Sequence, residues 1–285
     1  AQSRDTTVRL AAGAVVDVTV RTGKLVVRGV SGTTGTVRTS SDDYQLRSAG
    51  VSLVVAPRDD ERRGDARADR RPRGVELDVP RGVRVVISTL SADVEVYDIS
   101  GNVEVRSTSG SLLFSGLGGR LIAETISGDV RAEGYTSLAR ITTVSGDVTV
   151  RDARGEVEIH TTSGDVRVSG EGITRLSAEA MSGDVQFDGL FDPSARVQVS
   201  THSGDVILRV PEGVRGRMEL STVTGDLTAG GPLTLMPGDG ASSRRGRNAK
   251  RYEFGPGAGS GGTGGLQMDI TTFSGDVRLV RAPRS

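Results

Sequence analysis

Thr143-Val144-Ser145-Gly146-Asp147-Val148-Thr149-Val150 is answered one 18-residue period later by Thr161-Thr162-Ser163-Gly164-Asp165-Val166-Arg167-Val168. This near-repetition decides the fold. Ser-Gly-Asp-Val occurs at 127–130, 145–148, 163–166, 182–185, 203–206 and 274–277, with degenerate copies at 91–94, 109–112 and 224–227. The 18-residue spacing is constant from 91 to 163 and becomes longer and irregular after that. A fixed period of this length marks a repeat architecture in which each unit is buried by its neighbours.

The 18-residue unit divides into two nines. Counting from 91, position 4 holds Val94, Val103, Leu112, Leu121, Val130, Ala139, Val148, Val157 and Val166. Position 6 holds Val96, Val105, Phe114, Ala123, Ala132, Ile141, Val150, Ile159 and Val168, while position 5 is mostly polar or charged. That alternation is the period of a half-buried strand. Position 9 is usually apolar or Thr, as in Ile99, Thr108, Leu117, Ile126, Tyr135 and Val144. Positions 1 to 3 form the turn, where Gly supplies positive φ and Ser or Asp bonds local backbone.

Short strands at fixed spacing fit an antiparallel meander or a parallel solenoid. The 18-residue period favours an all-β, single-chain parallel β-solenoid with two strands per coil, in which Val stacks on Val. Residues 1–74 read as an N-terminal β region or cap carrying a charged loop at 57–73, whose Pro-Arg-Asp-Asp-Glu-Arg-Arg run offers nothing to bury. Residues 75–285 read as the repeat domain, with a Gly/Arg-rich insertion at 237–265 and a last coil at 266–280.

Composition narrows the function. Lys+Arg and Asp+Glu are both 36, so no broad basic face is available for nucleic acid. Aromatics are 3% with no Trp, which disfavours base-stacking platforms. The absence of Cys excludes disulfides, thiolate metal sites and a Cys nucleophile. No apolar run is long enough to cross a bilayer as a helix, so no helical transmembrane segment is expected. The chain opens Ala1-Gln2-Ser3, the kind of end that signal-peptide removal leaves, and export is the expectation.

Chemistry-bearing residues are few. His160 sits at an outward strand position and His202 just before a turn, and both read as surface side chains. No nucleophile elbow, P-loop or dinucleotide fingerprint is present, so no catalytic residue and no cofactor is expected. In a solenoid Asp129, Asp147, Asp165, Asp184 and Asp205 stack along one edge. Carboxylates about 4.8 Å apart repel by roughly 0.9 kcal/mol in water. Either Ca²⁺ or turn hydrogen bonding must offset that. The motif has one Gly per turn rather than paired glycines, so these five Asp are candidate Ca²⁺ ligands only in second place. Gly128, Gly146, Gly164, Gly183, Gly204 and Gly275 are expected to be structural turn residues.

The repeated Thr-x-Ser-Gly-Asp-Val strands, the segment Val75-Glu-Leu-Asp-Val-Pro-Arg-Gly-Val-Arg-Val85 and the stretch Tyr252-Glu253-Phe254-Gly255 are similar to the bacterial putative-adhesin family, a domain of unknown function. The resemblance spans about residues 75–280. It implies a β-solenoid-like fold at the bacterial envelope and supplies no catalytic residues. The expectation is a non-enzymatic structural or adhesive module, secreted, periplasmic or at the cell surface. Its partners would be itself, end to end or laterally into a filament, or other cell-surface components. The alternative is an envelope-stress or signalling module that binds a protein or peptide.

Overall fold

The computed structural model describes residues 4–11, 13–39, 44–57, 74–134, 137–211, 213–231, 233–236, 249–255 and 265–282. Among them every regular element is a β-strand. The charged segment 58–73 and most of the 237–265 insertion lie outside the described residues. The chain divides into two compact units, Ala1–Thr136 and Ser137–Ser285.

Unit 1 holds β1 (Arg4–Arg9), β2 (Val15–Val30), β3 (Thr34–Thr39), β4 (Tyr44–Ser48), β5 (Ser52–Pro57), β6 (Gly74–Pro80), β7 (Arg84–Tyr97), β8 (Val103–Ser109), β9 (Leu112–Ser115), β10 (Arg120–Ser127) and β11 (Val130–Glu133). Parallel pairing carries the 18-residue period: Val85 faces Val103 and Val103 faces Leu121, while Val94 faces Leu112 and Leu112 faces Val130. These residues are buried in rows, because equivalent positions of successive coils point to the same side. β2 takes a place that chain order does not give it. It pairs in parallel with β5 and β6 on one side and with β7 on the other, so Leu25 lies between Val75 and Val94.

Unit 2 holds β12 (Leu138–Ser145), β13 (Val148–Ser163), β14 (Val166–Ser182), β15 (Val185–Ser203), β16 (Val206–Pro211), β17 (Gly216–Thr224), β18 (Leu227–Ala229), β19 (Leu233–Leu235), β20 (Ala249–Phe254), β21 (Leu266–Ser274) and β22 (Val277–Ala282). Val148 faces Val166, Val166 faces Val185, and Val185 faces Val206. The next residue in this row is Val277, which is followed by Leu227. The coil at 266–282 is therefore last in the chain but lies between two earlier coils, pairing with β15 and β16 on one side and with β17 and β18 on the other.

Two sequence expectations are corrected. The pairing is mixed, not wholly parallel: β1 on β3, β3 on β6, β4 on β5, β17 on β20 and β19 on β20 run antiparallel. A repeat read along the chain cannot reveal strands that lack the repeat. Nor does each coil contribute two short strands throughout. β13, β14 and β15 are long strands that run through a corner, because their backbones stay paired with the neighbouring coil around it.

Val166 and Val277 are both almost fully buried. Val166→Asp should abolish cooperative melting, since an unpaired charge would enter an apolar row. Val277→Asp should be equally damaging even though it stands close to the chain end. Mild destabilisation by Val277→Asp, measured by circular dichroism melting, would contradict an interior place for the last coil.

Candidate functional site

The Ser-Gly-Asp-Val corner of unit 2 is one continuous hydrogen-bonded strip. The Gly164 N–H donates to the Ser182 carbonyl at 3.1 Å, and the Val166 N–H donates to the Asp184 carbonyl at 2.8 Å. The N–H of each Asp turns the other way, toward the preceding coil, where a carboxylate receives it. Asp165 N–H donates to Asp147 Oδ1 (3.0 Å), Asp184 N–H to Asp165 Oδ1 (3.1 Å) and Asp205 N–H to Asp184 Oδ1 (2.9 Å). The series continues with Asp276 N–H to Asp205 Oδ1 (2.9 Å) and Asp226 N–H to Asp276 Oδ1 (3.0 Å). In unit 1, Asp93 Oδ1 receives Ser111 N–H and Oγ–H in the same manner.

The second carboxylate oxygen meets arginine. Arg167 lies 2.7 Å from Asp165 Oδ2 and 3.7 Å from Asp147 Oδ2, Arg278 lies within 3.7 Å of Asp205 and Asp276, and in unit 1 Arg131 lies 3.2 Å from Asp129. Like charge along the row is thus offset by interleaved guanidinium. Among the described residues no group of three or more His, Asp or Glu is arranged to hold a metal ion. The motif glycines have φ between +125° at Gly128 and +144° at Gly204 and Gly275. A Cβ on Gly164 would strike the Gly146 carbonyl, and one on Gly183 the Gly164 carbonyl, so both conformation and stacking demand glycine here.

The outer face of β12–β15, β17 and β21 is the better candidate for contact with another molecule. Thr143, Thr161, Thr201 and Thr272, two places before each motif, point inward and are buried. The residue between that Thr and the motif must therefore point out. In stacking order these residues are Val144, Thr162, Met181, His202, Phe273 and Val223. Met181 is 61% exposed and Val223 59%. Phe273 stacks on His202, with ring centroids 4.8 Å apart and planes 13° apart. This apolar row borders a groove of about 580 Å³ whose other side includes His160, Glu179, Ser200 and Thr271. The alternation within a nine does not by itself assign apolar position 9 to a side. The structure divides it, since Ile99 is wholly buried and Ile126 is 53% exposed. Tyr135 lies outside the described residues.

The two histidines are held by neighbours, not poised beside a nucleophile. His160 lies between two carboxylates, with Nε2 3.0 Å from Glu158 Oε1 and Nδ1 3.2 Å from Glu179 Oε2. His202 is spent on the Phe273 stack. Among the described residues neither ring hydrogen-bonds a Ser hydroxyl. The hydrogen bond from His160, reinforced by Arg140 at 2.7 Å, holds the Glu158 carboxyl below the usual carboxylate range.

The family model Toastrack DUF4097 matches residues 68–231, more than half of the chain. This chain belongs to that family. The Toastrack assignment fits a β-solenoid-like fold and names no reaction. Among solved structures, a "putative adhesin" from Parabacteroides distasonis matches at 10% identity, covering 98% of this chain and 97% of that one, with a TM-score of 0.46. Another "putative adhesin", from Bacteroides fragilis, is 9% identical over 98% and 97% of the two chains, with a TM-score of 0.43. A "putative lipid binding protein" from Parabacteroides distasonis is 9% identical over 97% and 96%, with a TM-score of 0.33. Likenesses at this level say nothing about what a Toastrack chain binds. No curated protein matches.

Three outcomes follow for this Toastrack chain. Gly164→Val should cost at least the ~1–3 kcal/mol of strained backbone, whereas Asp165→Asn keeps its accepting oxygen and loses only a surface ion pair, typically worth up to ~1 kcal/mol. Denaturant titration ranks the two, and a larger loss for Asp165→Asn would mean that the charge itself is essential. Millimolar Ca²⁺ or EDTA should leave the melting temperature unchanged, since a ligand of the native state would raise it. Because the Glu158 carboxyl is depressed in the folded state, its contribution is present above the ordinary value of 4.5 and is lost as pH falls below it. The melting gap between the parent and Glu158→Gln should therefore be full at neutral pH and close in acid.

Proposed function

We propose that this chain is a non-enzymatic binding module of the bacterial envelope, adhesive in kind. In this reading it is a solenoid built on the 18-residue coil, with two strands to a coil where the corner breaks them and one long strand in β13, β14 and β15. The outer face of unit 2 presents its binding surface, residues 1–74 form an N-terminal β region, and the Asp row is a structural turn device. The observation that carries the proposal is the exposed row of Val144, Met181, His202, Phe273 and Val223 beside a groove. The outer face of a half-buried sheet is ordinarily polar. Contiguous exposed apolar residues mark contact with another molecule.

Two parts of the reading separate by association state. Open strand edges invite end-to-end stacking into fibres. The antiparallel strands β3 and β4 lie against β6 and β5, and β20 lies against β17. These covering strands favour the alternative, a dispersed signalling or stress-sensing module that takes a protein or peptide ligand, over coil-on-coil fibres. Secretion or display at the cell surface belongs with either.

The test is adhesion of protein-coated beads to panels of matrix proteins and envelope glycans. The parent should bind a member of the panel, and a Met181→Ser/Phe273→Ser variant with an unchanged melting temperature should lose at least tenfold. Equal binding by the variant, or cleavage of the captured glycan, would refute the proposal. Sedimentation velocity and electron microscopy of the same samples distinguish filaments from a dispersed chain.

A further inference from the structure

Arginines on the outer face of unit 2 are mostly matched with carboxylates: Arg140 with Glu158 at 2.7 Å, Arg217 with Glu253 at 3.4 Å and Arg251 with Glu219 at 3.3 Å. Arg175 on β14 and Arg196 on β15 differ. They are direct cross-strand neighbours in parallel register, and both are exposed. Among the described residues neither has a carboxylate within ion-pair distance. Glu156 is the cross-strand neighbour of Arg175 on its other side, yet it forms no ion pair with it. Like charges directly opposite on a sheet are unfavourable, so the pair is not explained by the fold's own stability.

The nearest outward neighbours on the far side are uncharged and able to hydrogen-bond. Leu176 and Val197 point inward, which turns Arg175 and Arg196 to the outer face together with Ser177 and Gln198, themselves cross-strand neighbours. Gln267 of β21 lies on the far side of Arg196. All five line one groove of about 680 Å³, separate in lining from the groove beside the apolar row. The acidic residues of the same groove lie beyond them, Asp269 against Gln198 on β21 and Glu219 against Arg251 on β17. A guanidinium presents five N–H donors in a planar fork matched to oxyanions. Two adjacent forks bring two positive charges and more donors than a monoanionic carboxylate can accept. A phosphate group, with up to two charges and three or four acceptor oxygens, satisfies both.

We propose that Arg175 and Arg196 form a phosphate-binding site framed by Ser177, Gln198 and Gln267. The group it takes is free phosphate, a soluble phosphate ester or an anionic lipid headgroup. The site is independent of the apolar row, so its failure would leave the adhesive reading standing, and the reverse also holds.

The test is titration of the full chain with inorganic phosphate at low ionic strength, followed through the arginine Nε–Hε signals. Those of Arg175 and Arg196 should shift together and saturate at millimolar phosphate, while those of Arg140 and Arg167 stay put. Chloride at equal ionic strength should do nothing. Arg175→Gln and Arg196→Gln should each weaken binding at least tenfold without lowering the melting temperature, and Glu156→Gln should tighten it. Shifts spread over all arginines, or no saturation, would overturn the site, as would retained affinity in the two Gln variants. Vesicles of phosphatidylglycerol and of phosphatidylcholine assign the source. Cosedimentation with the former alone, lost on Arg175→Gln/Arg196→Gln, assigns a lipid headgroup, and any other vesicle result alongside a positive titration assigns a soluble phosphate.

Discussion

Each coil must bring its backbone within strand distance, about 4.8 Å, of the next one, at the corners as well as along the strands. Strands manage this with any side chain, because alternate residues leave the plane of the sheet. A corner stacked on an identical corner cannot. At Gly164 a side chain would run into the Gly146 carbonyl, and at Gly204 into that of Gly183. Glycine at the second place of each motif is what lets the corners between β12 and β13, β13 and β14, and β14 and β15 stack on one another. The buried rows of Val148, Val166, Val185 and Val206 depend on that stacking.

The corner sets a second condition. Its turned backbone directs one N–H per coil, that of the Asp, toward a place where the preceding coil has no carbonyl to offer. The carboxylate of the preceding Asp accepts it. This places a column of negative charge along the motif edge, and Arg167 and Arg278 offset it. A requirement of backbone pairing thus accounts for both the Asp and part of the arginine content. The outer faces of the strands carry no such duty. There unit 2 varies freely, holding the apolar row with the His202–Phe273 stack and the like-charged neighbours Arg175 and Arg196.

Chain order and stacking order part company in both units. β2 fits between the β5–β6 coil and β7, and the β21–β22 coil fits between β15–β16 and β17–β18. A terminal segment enclosed on both sides gains twice the pairing of one laid on an open edge. Antiparallel strands lie against β5, β6 and β17, where they break the pattern that a further parallel coil would need.

The local repeat by itself determined the all-β class, the two inward rows, the corner glycines and the Asp edge. These follow from alternation and steric limits that act within a single half-unit of the repeat, so Val148, Val150 and Gly164 could be read directly. Only the tertiary structure decided which coil neighbours which, because a period carries no order: Val277 and Leu227 satisfy the same position, and nothing local says that Val277 comes between Val206 and Leu227. It likewise decided that Val144 and Met181 face out while Ile99 faces in. Apolar residues at the same place in successive nines differ in side according to whether the buried Thr row runs beneath them. The pairing of Arg175 with Arg196 follows the 21-residue spacing from Ser182 to Ser203, but that neither meets a described carboxylate is a matter of side-chain placement that only the structure shows.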